Sequence, residues 1–92
     1  MKPLRFSPRA GEDFDRIVAY YRQVAPEAVP NISADIEHGL NLIKEHPGRP
    51  ALVSGTTFRR YVTPRYHFKI AYRVGRDRID VLGIYRFQNR TA

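Results

Sequence analysis

The stretch "RYHFKIAYRV", residues 65–74, alternates between apolar and basic side chains almost without a break. Successive side chains of an extended strand point to opposite faces. The alternation therefore predicts that Tyr66, Phe68, Ile70, Tyr72 and Val74 enter a core while Arg65, His67, Lys69 and Arg73 line the other face. A chain holding such a strand needs a sheet with one covered and one polar side, and the covering layer must come from another part of the sequence.

That layer is written in the first half. "KPLRF" is a short strand candidate, and Ser7-Pro8 after it has the form of a helix start, with Ser7 as N-cap and Pro8 at the first helical position. Glu12 and Asp13 then fall near the positive end of the helix dipole. Phe14, Ile17, Val18 and Tyr21 recur at helical spacing on one face, and the two prolines of "APEAVP" end the run. A second helix is predicted from about Val29 to Glu45, striped by Val29, Ile32, Ile36, Leu40 and Ile43, and stopped by "HPG". After the loop "PGRPALVSGT" come "FRRYV", "YHFKIAYRV" and "RIDVLGIYRF", separated by "TPR" and "GRD", which predict an antiparallel meander. The order β-α-α-β-β-β defines an α+β fold in which a helical hairpin packs on one face of a small antiparallel sheet, with residues 1–92 forming one domain. Gly83 is positioned to bulge the last strand, which leaves the facing of Tyr85 and Phe87 open.

Charge separates the two halves. Residues 1–57 carry seven Lys or Arg against seven acids, whereas residues 58–92 carry nine against Asp77 and Asp80 alone, so the net +7 resides in the last third. Eight of those nine are arginine, whose planar fork suits carboxylate and phosphate. An acidic or polyanionic partner is implied. A solvated sheet face can also be charged, and charge there discourages pairing between sheets; the absence of any acid from the 65–74 face favours a binding role. There is no cysteine, so disulfides, thiolate catalysis and cysteine-based zinc sites are excluded, and His38, His46 and His67 have no metal-ligand spacing. No cofactor is expected. No apolar run approaches the roughly 20 residues that span a bilayer, and the N-terminus has no signal-peptide pattern, so the expected setting is the cytoplasm, away from membrane.

Taken in order, "FSPRAGEDFDRIVAYY", the basic "FRRYV", "YHFKIAYRV" and "IDVLGIYRF" resemble the ParE/RelE toxin superfamily of bacterial type II toxin-antitoxin systems across nearly the whole chain. The resemblance implies a cognate ParD-like antitoxin, whose acidic or apolar C-terminal segment wraps the toxin in a hetero-oligomer. In its ParE branch it implies DNA gyrase as the target, blocked by binding. In its RelE branch it implies metal-independent cleavage of mRNA on the ribosome. The nuclease pattern is met in part: Lys69 stands at an arginine position, Arg60 near the first of two basic positions on the preceding strand, and Val62 at the second. Arg86 or Arg90 meets a later arginine, but no tyrosine follows Tyr85, and the ParE branch usually carries histidine where Arg86 stands.

The ParE reading is therefore favoured. Arg60, Arg65, Lys69, Arg73, Arg86 and Arg90 are the candidate antitoxin or target contacts, and no residue is assigned to catalysis. Under the nuclease alternative the machinery would be Arg60, Lys69 and Arg86, with His67 as base. The helical stripes are read first as core, and the resemblance implies that the antitoxin also lies across the helix pair, where Ala19, Ala25, Ala28 and Ala34 permit close approach. A plain nucleic-acid-binding module is disfavoured, because no recognition helix or RNA-binding signature is present.

Overall fold

The computed structural model describes residues 2–86, and it places two helices on a four-stranded mixed sheet, an α+β fold. The elements are β1 (Leu4–Phe6), α1 (Pro8–Val24), a 3-10 turn at Pro26–Ala28, α2 (Val29–Glu45), β2 (Arg59–Val62), β3 (Lys69–Val74) and β4 (Ile79–Tyr85). The predicted start of α1 is found: Ser7 Oγ accepts from the Ala10 N–H at 3.0 Å, and Pro8 occupies the first turn. Glu12 and Asp13 lie one turn beyond the dipole's positive end, and Asp13 is turned inward.

The sheet order is β1-β4-β3-β2. β2, β3 and β4 form the antiparallel meander, but β1 runs parallel to β4, so the sheet is mixed and not antiparallel throughout. The reason is topological. The helical hairpin and the 46–58 loop return the chain to its starting end, so β2 runs in the direction of β1, and two reversals later β4 does too.

β1 meets β4 only at residues 79–81, which would leave the rest of that edge unpaired. Ser7 and Asp13 complete it: the Ser7 N–H donates to Val81 O at 2.9 Å, Ser7 Oγ donates to Leu82 O at 3.2 Å, and Asp13 Oδ2 accepts from the Ile84 N–H at 3.1 Å. Buried backbone groups are satisfied by side chains where the strand ladder ends.

The strand read over 65–74 begins only at Lys69. Residues 63–68 form a tight turn in which the Thr63 N–H donates to Phe68 O at 2.8 Å and Thr63 Oγ1 accepts from the Phe68 N–H at 2.9 Å. His67 takes a left-handed φ of 61° to close it, a conformation L-residues adopt at a cost of roughly 1–2 kcal/mol. Asp35 of α2, itself buried, accepts from the Arg65 and Tyr66 N–H groups at 3.3 and 2.9 Å.

Between the layers, Phe68, Ile70, Tyr72, Ile79 and Val81 meet Ala10, Ile17, Ile32, Ile36 and Ile43 in one core. Gly39 lets α2 press against the sheet, since a Cβ there would lie 3.0 Å from the Tyr61 ring and 3.2 Å from Ile70. The expected irregularity in β4 is present: Ala71 pairs with Gly83 and Tyr72 with Val81, so Leu82 is the extra residue. Beyond it Tyr85 pairs with Lys69, its ring reaches the Arg9 end of α1, and it is 38% exposed. Phe87 lies outside the described residues.

A cationic cleft on the open sheet face

Register decides which basic residues share a face. Arg60 lies opposite Ala71, Val62 opposite Lys69, and Lys69 opposite Tyr85, all on the side of the sheet that the helices leave uncovered. There Arg60, Lys69 and Arg86 rim a cleft of about 430 Å³ whose floor is Ala71, Leu82 and Tyr85 and whose wall is Val53 and Phe58. The wall stands because the 51–58 segment folds back on the β2 edge: the Val53 N–H donates to Phe58 O at 2.9 Å, and the Arg60 N–H to Ala51 O at 3.3 Å. Such a cleft combines positive charge with apolar depth, and so suits an anionic group joined to a large apolar or ring-bearing one.

The other predicted site residues are dispersed. Arg73 shares the open face and lies opposite Asp80, two register pairs beyond Ala71. Arg65 and His67 do not join it, a correction that follows from the turn at 63–68: the alternation of side chains continues through a stretch that is not a strand. Arg65 instead sits over the Tyr66 ring, 5.8 Å from its centroid, beside Ala34, Asp35, His38 and Pro64. His67 lies in that turn at a φ of 61°, and the residues lining the cleft do not include it. Arg90 lies outside the described residues.

A second hollow of about 360 Å³ adjoins the cleft through Tyr85 and Arg86, and sequence reasoning missed it. Arg9, Asp13 and Arg16 of α1 line it, with Ile17, Tyr20 and Ile84. Arg9 and Arg16 approach the buried Asp13 carboxylate at 3.5 and 3.7 Å. Arg86 stacks over Tyr20 at 4.4 Å, and hydrogen bonding to the Tyr20 side chain raises its pKa, against a smaller lowering by desolvation. The signal was legible: positions 9, 13 and 16 fall on one face of a helix.

Among the described residues no group of three or more His, Cys, Asp or Glu side chains is placed to hold a metal ion, and no helix is long and apolar enough to cross a membrane.

These features define a small α+β domain with one face of its sheet covered by helices and a cationic cleft on the other. The chain belongs to the ParE toxins of the parDE type II toxin-antitoxin systems, whose family model matches residues 4–91. Its fold is that of a solved chain from a chromosomal ParDE toxin-antitoxin system of P. aeruginosa, with a TM-score of 0.83 at 23% identity over 96% of this chain and 98% of that chain. No curated protein matches it.

Proposed function

We propose that this ParE toxin blocks DNA gyrase by binding, that a ParD-like antitoxin neutralises it, and that the Arg60, Lys69 and Arg86 cleft is a principal contact surface. The gyrase target is the one the family resemblance implies. The observation that carries binding over bond-breaking is the content of the cleft. Among the described residues its lining holds three cations and five apolar or aromatic side chains, with no carboxylate or imidazole to take a proton from a ribose 2′-hydroxyl. The position beside Lys69 where the nuclease pattern calls for a second cation carries Val62, 37% exposed on the open face.

A RelE-like endonuclease is the second reading. It is favoured by one specific feature, the convergence of Arg60, Lys69 and Arg86 on a single cleft that could hold a phosphate. Purified protein tested in parallel for inhibition of gyrase supercoiling and for mRNA cleavage on translating ribosomes separates the two. The expected result is inhibited supercoiling with intact message. Codon-specific breaks at catalytic amounts of protein, lost in Lys69→Ala, would establish the nuclease instead.

A further inference from the structure

We infer that the hollow lined by Arg9, Arg16 and Arg86 is a phosphate site, by which the toxin itself grips the phosphodiester backbone of nucleic acid. The cations converge from two elements. Arg9 and Arg16 are seven residues apart on α1, which places them on one helical face about 10 Å apart along its axis, and Arg86 reaches the same hollow from the end of β4. Two of the three guanidinium groups lie over rings, Arg9 5.8 Å from the Tyr85 centroid and Arg86 4.4 Å from that of Tyr20. An arginine stacked in this way keeps its planar fork oriented while the edge stays available to a tetrahedral anion.

Asp13 is the one carboxylate among the described residues that line it, and it accepts the buried Ile84 N–H at 3.1 Å. Its ion pairs are long, and the Arg9 and Arg16 side chains are 65 and 73% exposed, so both retain donors for a ligand. Three cations against one committed carboxylate leave the hollow positive.

Nucleic acid is favoured over an acidic peptide by what adjoins the hollow. Through Arg86 and Tyr85 it runs into the cleft rimmed by Lys69 and Arg60, so five cations follow one another around the end of β4. A phosphodiester chain presents charge at every step along such a path, whereas an acidic peptide needs matched side chains. Contacts of this kind position the backbone without reading bases, which suits a sequence with no recognition-helix signature. The inference stands apart from the gyrase reading, since it requires no protein target.

The test is fluorescence anisotropy with a labelled 12-nucleotide DNA, single-stranded and as a duplex, over about 50 to 200 mM salt. The comparison is between Arg9→Gln/Arg16→Gln/Arg86→Gln and a control that removes the same charge elsewhere, Arg22→Gln/Arg49→Gln/Arg76→Gln. Either strand form should bind, and the site variant should lose at least tenfold more affinity than the control. Its salt slope should fall by about 2 to 3, since each lost phosphate contact removes roughly 0.7 to 0.9. Arg9→Gln/Arg16→Gln, which leaves Arg86 on Tyr20, should show about two-thirds of that fall, and thermal unfolding establishes that each variant is folded. Equal losses in site and control variants would reduce the effect to diffuse surface charge and overturn the site. So would no binding by the unaltered protein at the lowest salt, or tighter, site-dependent binding of a 12-residue poly-glutamate peptide.

Discussion

The two faces of the sheet are made from the same strands by different rules. Toward the helices, β3 and β4 present Ile70, Tyr72, Ile79, Val81 and Ile84, all 2% exposed or less. Toward solvent the same strands and β2 present Arg60, Val62, Lys69, Ala71, Arg73 and Tyr85. The first set is fixed by volume and the second by charge. Substitutions should therefore divide into those that cost stability and those that cost binding.

The largest effect is expected at Tyr72, the largest fully buried side chain. Tyr72→Ala should lower the unfolding free energy by about 3–5 kcal/mol, as truncation of a buried aromatic does, out of the roughly 5–15 kcal/mol typical of a domain. Denaturant titration measures it. A loss below about 1 kcal/mol would mean that the covered face is not where stability resides.

Next comes Asp35, which joins α2 to the turn preceding β3. Asp35→Ala leaves the Arg65 and Tyr66 N–H groups without their acceptor, a loss of about 1–3 kcal/mol where such groups stay buried. Hydrogen exchange should report it locally, with the 63–68 turn opening before the core. Simultaneous exchange throughout would instead make the turn part of the core's cooperative unit.

Much of this contrast is present in the sequence. Ser7-Pro8, the two helical stripes and the parity of Lys69, Ile70 and Tyr72 are local patterns that tertiary structure did not overrule. Three features were not legible, each for a physical reason. The beginning of β3 depends on Asp35, 30 residues before Arg65, and no local pattern encodes that distance. Phe68 reaches the core through a turn closed by Thr63 and His67, so its burial imitates strand alternation. β1 has three residues, and nothing in "LRF" encodes a direction relative to a strand 75 residues later. For the site, parity and resemblance find Arg60, Lys69 and Arg86, while Val53 and Phe58 belong to irregular backbone with no period to read. Arg9 and Arg16 are legible by helical spacing but not by charge summed over a half: the first 57 residues are neutral in sum, although these two arginines lie together on one helical face.

A smaller effect isolates the one polar atom that Tyr72 brings to the covered face, its hydroxyl, which donates to Pro47 O at 2.7 Å. Tyr72→Phe should cost about 0.5–1.5 kcal/mol. Burial raises the Tyr72 pKa above its ordinary 10.0, with a smaller lowering from Arg59. The unfolded chain therefore releases this proton first, so the contribution is complete below pH 10.0 and is lost as pH rises toward and through the higher folded value. Stability of the unaltered protein should fall more steeply above pH 10 than that of Tyr72→Phe; parallel pH profiles would show that burial does not hold this proton.

The smallest effect on stability belongs to the open face, and there function should respond most. Arg60→Gln/Lys69→Gln removes two cations from the cleft rim while leaving Ala71, Leu82 and Tyr85 beneath it and the stack of Arg86 on Tyr20 beside it. Arg60 is exposed and Lys69 half-buried, and surface substitutions usually change unfolding free energy by no more than about 0.5 kcal/mol each. Inhibition of supercoiling should nevertheless weaken by more than tenfold, about 1.4 kcal/mol of binding, because a cation meeting an acidic partner loses its interaction whether or not the fold notices. Unchanged inhibition would move the target surface elsewhere, to the helix pair or to the Arg9 and Arg16 side of β4. A loss of inhibition accompanied by several kcal/mol of destabilisation would erase the division between the faces. The informative comparison is with Val62→Lys, which adds a cation on the open face directly opposite Lys69. If charge on this face governs binding, that substitution should restore part of what Arg60→Gln removes. If shape governs it, filling the rim should weaken inhibition further.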